Sequence, residues 1–475
     1  MIHMLRLTIL FLFFANLASS QTLLVSTPLE LKKNSDSHQA MNAVNRKTNE
    51  VYAFVADKEK IHLLHYNNAL FLRDTLSVDF PDKQSLSFIG YAFEGNNPVL
   101  LLADTDLKKV QQIVFDLEDK STSVKTHDFI PKGENFICSF TQDGIFYAIT
   151  TLQKASNLKF YIFSNGSLLQ QTIDFSGFEF ADERAETISF SDLLSRFPIE
   201  KLETQSVNAL ASGIQKTKLF IETGKIILTI DTNPKLTSLF QINLNDFSVN
   251  KTDFLHPVIN PQNPKVSEQS NSYYNSNRLY QLKFNEEKLM LSSTDLSKPD
   301  IPQTHEVSIN DTITFRHSTL WSRTGKRQPS EISVKKFFRK LDSSQVGMTV
   351  YTTMTKNTLI TIGGLRETTT AGNLILGVAL GAGSIAYGGS GDVVNLFDND
   401  TAQSVYFESV FDEQFRHLDS QPEILADDYI SQFLDDNDAI MLTDVFRYKD
   451  FYILAYYEKK GKRYVLRKFS DGGVD

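Results

Sequence analysis

With 475 residues, 41% of them hydrophobic, and 36 Phe beside 17 Tyr, the chain carries enough apolar material for a core, which excludes global disorder. A formal charge of −9 argues against nucleic acid or an anionic membrane as a partner. The single cysteine, Cys138, excludes an intramolecular disulfide framework and a cysteine-built zinc site; in the alternating run Phe136–Phe140 it reads as a small buried hydrophobe.

Residues 1–20 read as a secretory signal. Arg6 gives a positive start, Leu7–Ala15 an apolar stretch too short to span a bilayer, and Ala18-Ser19-Ser20 a small-residue cleavage point before Gln21. Cleavage there removes one arginine and no acid, leaves no transmembrane segment, and places the protein as secreted, periplasmic or cell-surface. Residues 21–475 then form one domain.

Taken in order, the chain repeats one unit. Val51–Ala56 and Ile61–Tyr66 flank the charged turn Asp57–Lys60, a hairpin of β-branched and aromatic residues. Ala40–Val44 precedes it and Ala69–Val78 follows, giving strands A to D. The second unit spans Ser87–Phe129 and the third Phe136–Phe175, with B strands starting at Val51, Val99 and Phe146. A four-strand unit every forty to fifty residues is the mark of a propeller blade, because one small sheet cannot bury both faces alone. A fourth blade fits Lys218–Phe254 and a fifth Asn271–Ile309. The sixth is broken between Thr358–Gly363 and Ser404–Ser409. The last, Ala439–Lys468, lacks a fourth strand, which Thr22–Ser26 can supply by closing the ring and covering two edges. The fold class is therefore all-β: a β-propeller of about seven four-stranded blades, six to eight allowed, with short helical insertions. A pair of β-sandwiches or a β-solenoid built from the same hairpins is the competing architecture.

Four segments, 176–213, 311–341, 366–401 and 412–438, fall outside the repeat. In the first, Ser191 is a candidate N-cap for a helix over Asp192–Phe197 that Pro198 stops. In the second, Val334, Phe337, Phe338 and Leu341 have helical spacing, as do Leu425, Tyr429 and Phe433 in the fourth. Up-and-down geometry puts all four insertions at the end that carries the B–C turns, and function concentrates on loops held by a rigid scaffold. Candidate binding residues on that decorated end are the Trp321–Arg323 pair, Arg366, Glu367, Asp427 and Asp428. Trp321, the sole tryptophan, is either an exposed hot spot or a buried anchor for its insertion.

The remaining motifs carry less. Gly381-Ala382-Gly383-Ser384-Ile385-Ala386 matches a dinucleotide fingerprint, but Gly388-Gly389-Ser390-Gly391 would break its helix after one turn. Residues 374–387 are apolar, with a small-xxx-small pair at Gly377 and Gly381. Contact with a membrane surface there is the lesser reading beside a loop using glycine for backbone freedom. His62 and His65 point to opposite faces of a strand, so no metal site is expected, and no cofactor. The acidic runs Asp398–Thr401 and Asp435–Asp438 lack the spacing and glycine of a calcium loop and read as solvated turns.

The mature chain resembles a group of uncharacterised secreted proteins from Bacteroidetes-like bacteria. The resemblance lies in Leu359-Ile360-Thr361-Ile362-Gly363-Gly364, the run Lys335–Leu341 before it, Ser404-Val405-Tyr406-Phe407 after it, and Ser270-Asn271-Ser272. It implies a bacterial envelope setting and no mechanism. The expected function is a binding or interaction module for a protein or glycan partner. The alternatives are a secreted hydrolase, with glycans among its candidate substrates and carboxylates on the insertion-bearing face, and a structural envelope component.

Overall fold

Tight turns set the local geometry. Asp143-Gly144, Asn165-Gly166 and Ser276-Asn277 have positive φ at both positions (51° and 80°, 47° and 70°, 51° and 60°). This is the type I′ turn, whose twist matches that of the strands it joins and so fixes their register. In the computed structural model, residues 21–32, 38–81, 86–259, 267–299, 302–325, 327–367, 402–419 and 423–473 are described. Among them the hairpins assemble into seven sheets of four or five strands. The segments 1–20 and 374–387 and the run Asp398–Thr401 lie outside the described residues.

Blade 1 holds Gln39–Asn45, Glu50–Ala56, Lys60–Tyr66 and Leu72–Asp79, from the inside out. Blade 2 begins at Ser87–Glu94, blade 3 at Glu134–Gln142, blade 5 at Gln269–Asn275 and blade 6 at Gln345–Thr352. Blade 7 is Ile440–Tyr448, Phe451–Glu458 and Arg463–Phe469, completed by Gln21–Pro28, which pairs antiparallel with the strand ending at Phe469. The N-terminal strand thus closes the ring, as expected for Thr22–Ser26.

Second strands are buried on both faces, which is why they read as continuous apolar runs rather than alternating ones. Val51, Ala53 and Val55 pack toward blade 7 with Ile453 and Leu466, while Tyr52, Phe54 and Ala56 pack toward blade 2 with Leu100 and Phe115. The pattern continues around the ring: Phe146 and Tyr161 join Leu101 of blade 2, and Ile149 and Phe160 join Leu228 and Phe240 of blade 4. Cys138 belongs to that last cluster, and burial pushes its thiol up to about 12. The outermost strand of blade 1 is largely solvent-exposed.

Two blades depart from the four-strand plan. In blade 4 a short strand, Glu200–Leu202, pairs in parallel with the inner edge of Thr217–Glu222. In blade 6 the fourth strand comes from upstream: Trp321–Thr324 pairs with Ala402–Phe411, and Ser330–Glu331 lies outside it. The insertion 311–341 therefore completes a blade as well as carrying the helix Val334–Asp342, whose Phe337, Phe338 and Leu341 are buried. The helix of the first insertion runs Phe190–Arg196 and is capped by Ser189, not Ser191: the Ser189 hydroxyl accepts from the Asp192 N–H at 3.1 Å and donates to its carboxylate at 2.7 Å. A Ser-x-x-Asp box satisfies two groups at once, which leaves Ser191 inside the first turn.

Candidate ligand channel

The segment that follows Glu200–Leu202 does not stay on an end of the ring; it crosses the centre. The Thr204 hydroxyl donates to the Ile221 carbonyl in blade 4 (3.1 Å), and the Thr204 carbonyl accepts from Asn275 in blade 5 (3.2 Å). The Gln205 carbonyl accepts from the Tyr452 hydroxyl of blade 7 (2.5 Å), and Asn208 donates to the Tyr273 hydroxyl (3.0 Å). The turn Leu210–Gly213 then seats Leu210 and Ile214 against Tyr406 of blade 6. Two glycines allow that approach. A Cβ on Gly213 would lie 2.4 Å from the Met348 carbonyl oxygen, and one on Gly347 would lie 2.6 Å from the Ile214 Cα. Asn271 holds the exit by donating to the Ile214 carbonyl (2.9 Å). This plug ties blades 4 to 7 together across the axis.

Beside the plug lies a cavity of about 2090 Å³ whose wall draws residues from all seven blades. Blade 3 contributes residues 135–142 of its inner strand in unbroken succession. Burial raises the Glu200 carboxyl above the usual range, partly offset by the Ser212 hydroxyl that donates to it at 2.7 Å. Glu203, three residues on, is held below that range by Lys201, whose ammonium lies 2.9 Å away and also donates to the Ser139 carbonyl at 3.2 Å. Two carboxyls, one on the strand and one just past its end, thus have proton affinities pushed apart. Between blades 4 and 5, Asp231 at the cavity wall and Lys218 behind it form a fully buried pair at 3.0 Å. Asp231 also accepts from Thr237 (2.7 Å) and from the N–H and hydroxyl of Ser272 (both 2.9 Å), so its lone pairs are satisfied.

The residues singled out from the sequence gather around the seam between blades 6 and 7 rather than on one end. Trp321 is half-buried and packs on the Leu210–Ile214–Tyr406 cluster, and Arg323, two residues along the same strand, donates to the Gly325 carbonyl (3.0 Å). Arg366 is exposed where its strand pairs with Gln403; Glu367 follows it at the strand end. Asp427 and Asp428 open the helix Ala426–Asp435. The N–H groups of Ala426 and Met354 both donate to Asp471, so this helix start sits at the end carrying the A–B turns. That is opposite to the end expected for insertion 412–438. The cause is topological: Phe411 pairs opposite Thr358, so the third strand of blade 6 ends beside the A–B turn, and its fourth strand comes from upstream instead of carrying the chain back. The Asp471 carboxylate, which also accepts from Tyr351 at 2.7 Å, then clamps the helix there. Burial and the neighbouring Asp428 and Asp471 push Asp427 up to about 6. Sequence reasoning missed Glu200, Lys201 and Glu203, for which a three-residue strand offers no periodic signal.

Among the described residues, no group of three or more His, Cys, Asp or Glu is placed to hold a metal ion, and no helix is long and apolar enough to cross a membrane. No protein-family model matches the chain, and no curated protein does. Among solved structures, an ACO/RPE65 chimera is similar at 8% identity and a TM-score of 0.28, over 58% of this chain and 62% of that one. Cobalt-substituted Synechocystis ACO gives 8%, 0.28, 60% and 63%. An uncharacterized protein from Listeria monocytogenes EGD-e gives 12%, 0.25, 58% and 68%. The alignments with the first two span about three fifths of those proteins' length, and at this level they bear on neither substrate nor chemistry.

Proposed function

We propose that the protein is a secreted or envelope-associated binding module that takes its ligand, a glycan or a protein segment, in the central channel. The observation that carries this reading is the cavity itself: about 2090 Å³, walled by all seven blades and narrowed on one side by the chain's own plug. Concave sites of mixed polar and apolar character on a rigid scaffold are where ligands bind. The test is a thermal-shift panel of soluble oligosaccharides and peptides on the intact protein, repeated on Ser139→Trp, which adds bulk to the wall. A ligand that stabilises the parent and not the variant supports the channel; equal stabilisation of both places the site elsewhere.

One observation favours a second reading, hydrolysis by paired carboxyls. Glu200 with a raised proton affinity and Glu203 with a lowered one have the split that acid–base catalysis uses. Oligosaccharide cleavage that disappears in Glu200→Gln would favour it over simple binding. Turnover that survives in that variant would remove it.

A further inference from the structure

We propose that the channel's ligand carries oxyanion groups (carboxylate, sulfate or phosphate) and that these seat on Arg46, Arg447 and Lys449 at the mouth formed by the A–B turns. The inference rests on the channel reading above and adds the ligand's charge and the end at which it is gripped. Arg46 opens the turn after the inner strand of blade 1, Arg447 and Lys449 lie at the same end of blade 7, and Lys356 belongs to the corresponding turn of blade 6; all four line the cavity and are exposed. A cationic arc over three consecutive blades stands out on a chain of net charge −9.

Several cations in or behind the channel wall are paired with carboxylates, although Lys154 and Lys216, which line the other end, form no ion pair among the described residues. Lys201 is held by Glu203, Lys283 by Glu268, Arg196 by Asp182 and Lys218 by Asp231, at 2.9 to 3.2 Å. Of the four cations in the arc, Lys356 alone pairs with a carboxylate among the described residues, Glu413 at 3.4 Å. Arg447 meets the Met354 sulfur at 3.3 Å, a weak acceptor. Lys449 donates to the Asn68 carbonyl at 3.1 Å and lies 4.9 Å over the Tyr448 ring. Among the described residues, no carboxylate forms an ion pair with Arg46, Arg447 or Lys449. Of the nearby acids, Glu50 accepts from Tyr52 and pairs with Arg73, Asp471 accepts from Tyr351 and Ala426, and Glu222, which lines the same end, pairs with Lys225 at 3.2 Å; Asp450, beside Lys449 in its turn, is exposed.

The arc is also held in place. The Tyr448 hydroxyl donates to the carbonyls of Asn49 and Asn68, both at 2.8 Å, which locks the blade 7 turn to two turns of blade 1. Guanidinium groups bind oxyanions through paired N–H donors, and turns already locked together lower the cost of bringing those groups to one ligand. The opposite mouth mixes Lys154, Lys216 and Arg196 with Glu183, Asp192 and Glu268, so the two ends of the channel differ in charge.

The experiment is calorimetric titration of the intact protein with a galacturonate hexamer, a sulfated hexasaccharide, inorganic pyrophosphate and a neutral hexasaccharide, at two salt concentrations. The same titrations are run on Arg46→Gln/Arg447→Gln and on Ser139→Trp, with thermal midpoints confirming that both variants fold. The expected result is salt-sensitive binding of at least one oxyanion probe, weakened about tenfold or more in the double variant, in line with loss of two charge-assisted contacts. Which probe binds identifies the oxyanion. The proposal is overturned if no oxyanion probe binds at millimolar concentration, or if the double variant binds as tightly as the parent. A neutral hexamer that binds the parent and the double variant alike and is lost in Ser139→Trp, with no oxyanion probe bound, would leave the channel standing and the oxyanion seat refuted. Hexamers that need the arginines but tolerate Ser139→Trp would refute the channel and keep the seat.

Discussion

Gly347→Ala puts the plug's fit under direct strain. The added Cβ would sit 2.6 Å from the Ile214 Cα and 3.0 Å from the Gly213 carbonyl oxygen, both backbone atoms that cannot rotate away. Ordinary carbon contacts are about 3.5–4.0 Å, so the two backbones must part by about 1 Å. Forcing a methyl into a packed site of this kind costs about 1–3 kcal/mol. Lifting the plug instead would expose Leu210 and Ile214, which are 0% and 4% accessible, at about 1.5–3 kcal/mol each. The strained, seated plug is therefore the cheaper outcome, at roughly 2–3 kcal/mol. Urea denaturation followed by tryptophan emission reads it well, since Trp321 packs on the same cluster. The control is Gly177→Ala, where a Cβ meets nothing within 4 Å and a change within about 0.5 kcal/mol is expected. If Gly347→Ala matches the control, the plug does not pack on blade 6 as described.

Three further perturbations address the buried charges. Asp444, between blades 7 and 1, accepts from the Asn42 N–H and side-chain amide at 2.9 and 2.8 Å, and burial pushes its carboxyl up to about 6. A raised value means that its stabilising contribution is full below about pH 4 and is lost as pH rises through about 6. Asp444→Asn should therefore gain on the parent by roughly 3 kcal/mol between pH 4 and 7; a pH-independent difference in urea midpoints would contradict this. Glu200 shifts in the same direction, so Glu200→Gln should be more stable relative to the parent at pH 7 than at pH 4, a comparison that thermal melts at the two pH values make directly. Lys218→Met strands the buried Asp231 carboxylate and should cost about 3–5 kcal/mol; a loss below 1 kcal/mol would mean the pair is solvated.

Much of the ring was legible in the sequence because its information is local. Blades 1 to 3 follow from runs such as Val51–Ala56 and from short turns such as Asn165-Gly166, and the closing role of the first strand followed from the edge left open in blade 7. What escaped the sequence depends on pairing between distant residues. Trp321–Thr324 joins Ala402–Phe411 across about eighty positions, and nothing in its own four residues says which sheet it enters. Glu200–Leu202 is too short for a period to show. The plug is legible only once Gly213, Gly347 and their neighbours are seen to touch. The six candidate site residues came from position within insertions, and two of those insertions travel into the ring or complete a blade instead of decorating an end.

Hydrogen exchange on the intact protein, with and without the oligosaccharide or peptide that gives the largest thermal shift, tests the channel most directly. Protection is expected to concentrate in residues 135–142 of blade 3 and in the plug residues 203–206 and 214–216, which form part of the cavity wall. Protection confined to the outer strands, such as Leu72–Asp79, would contradict it.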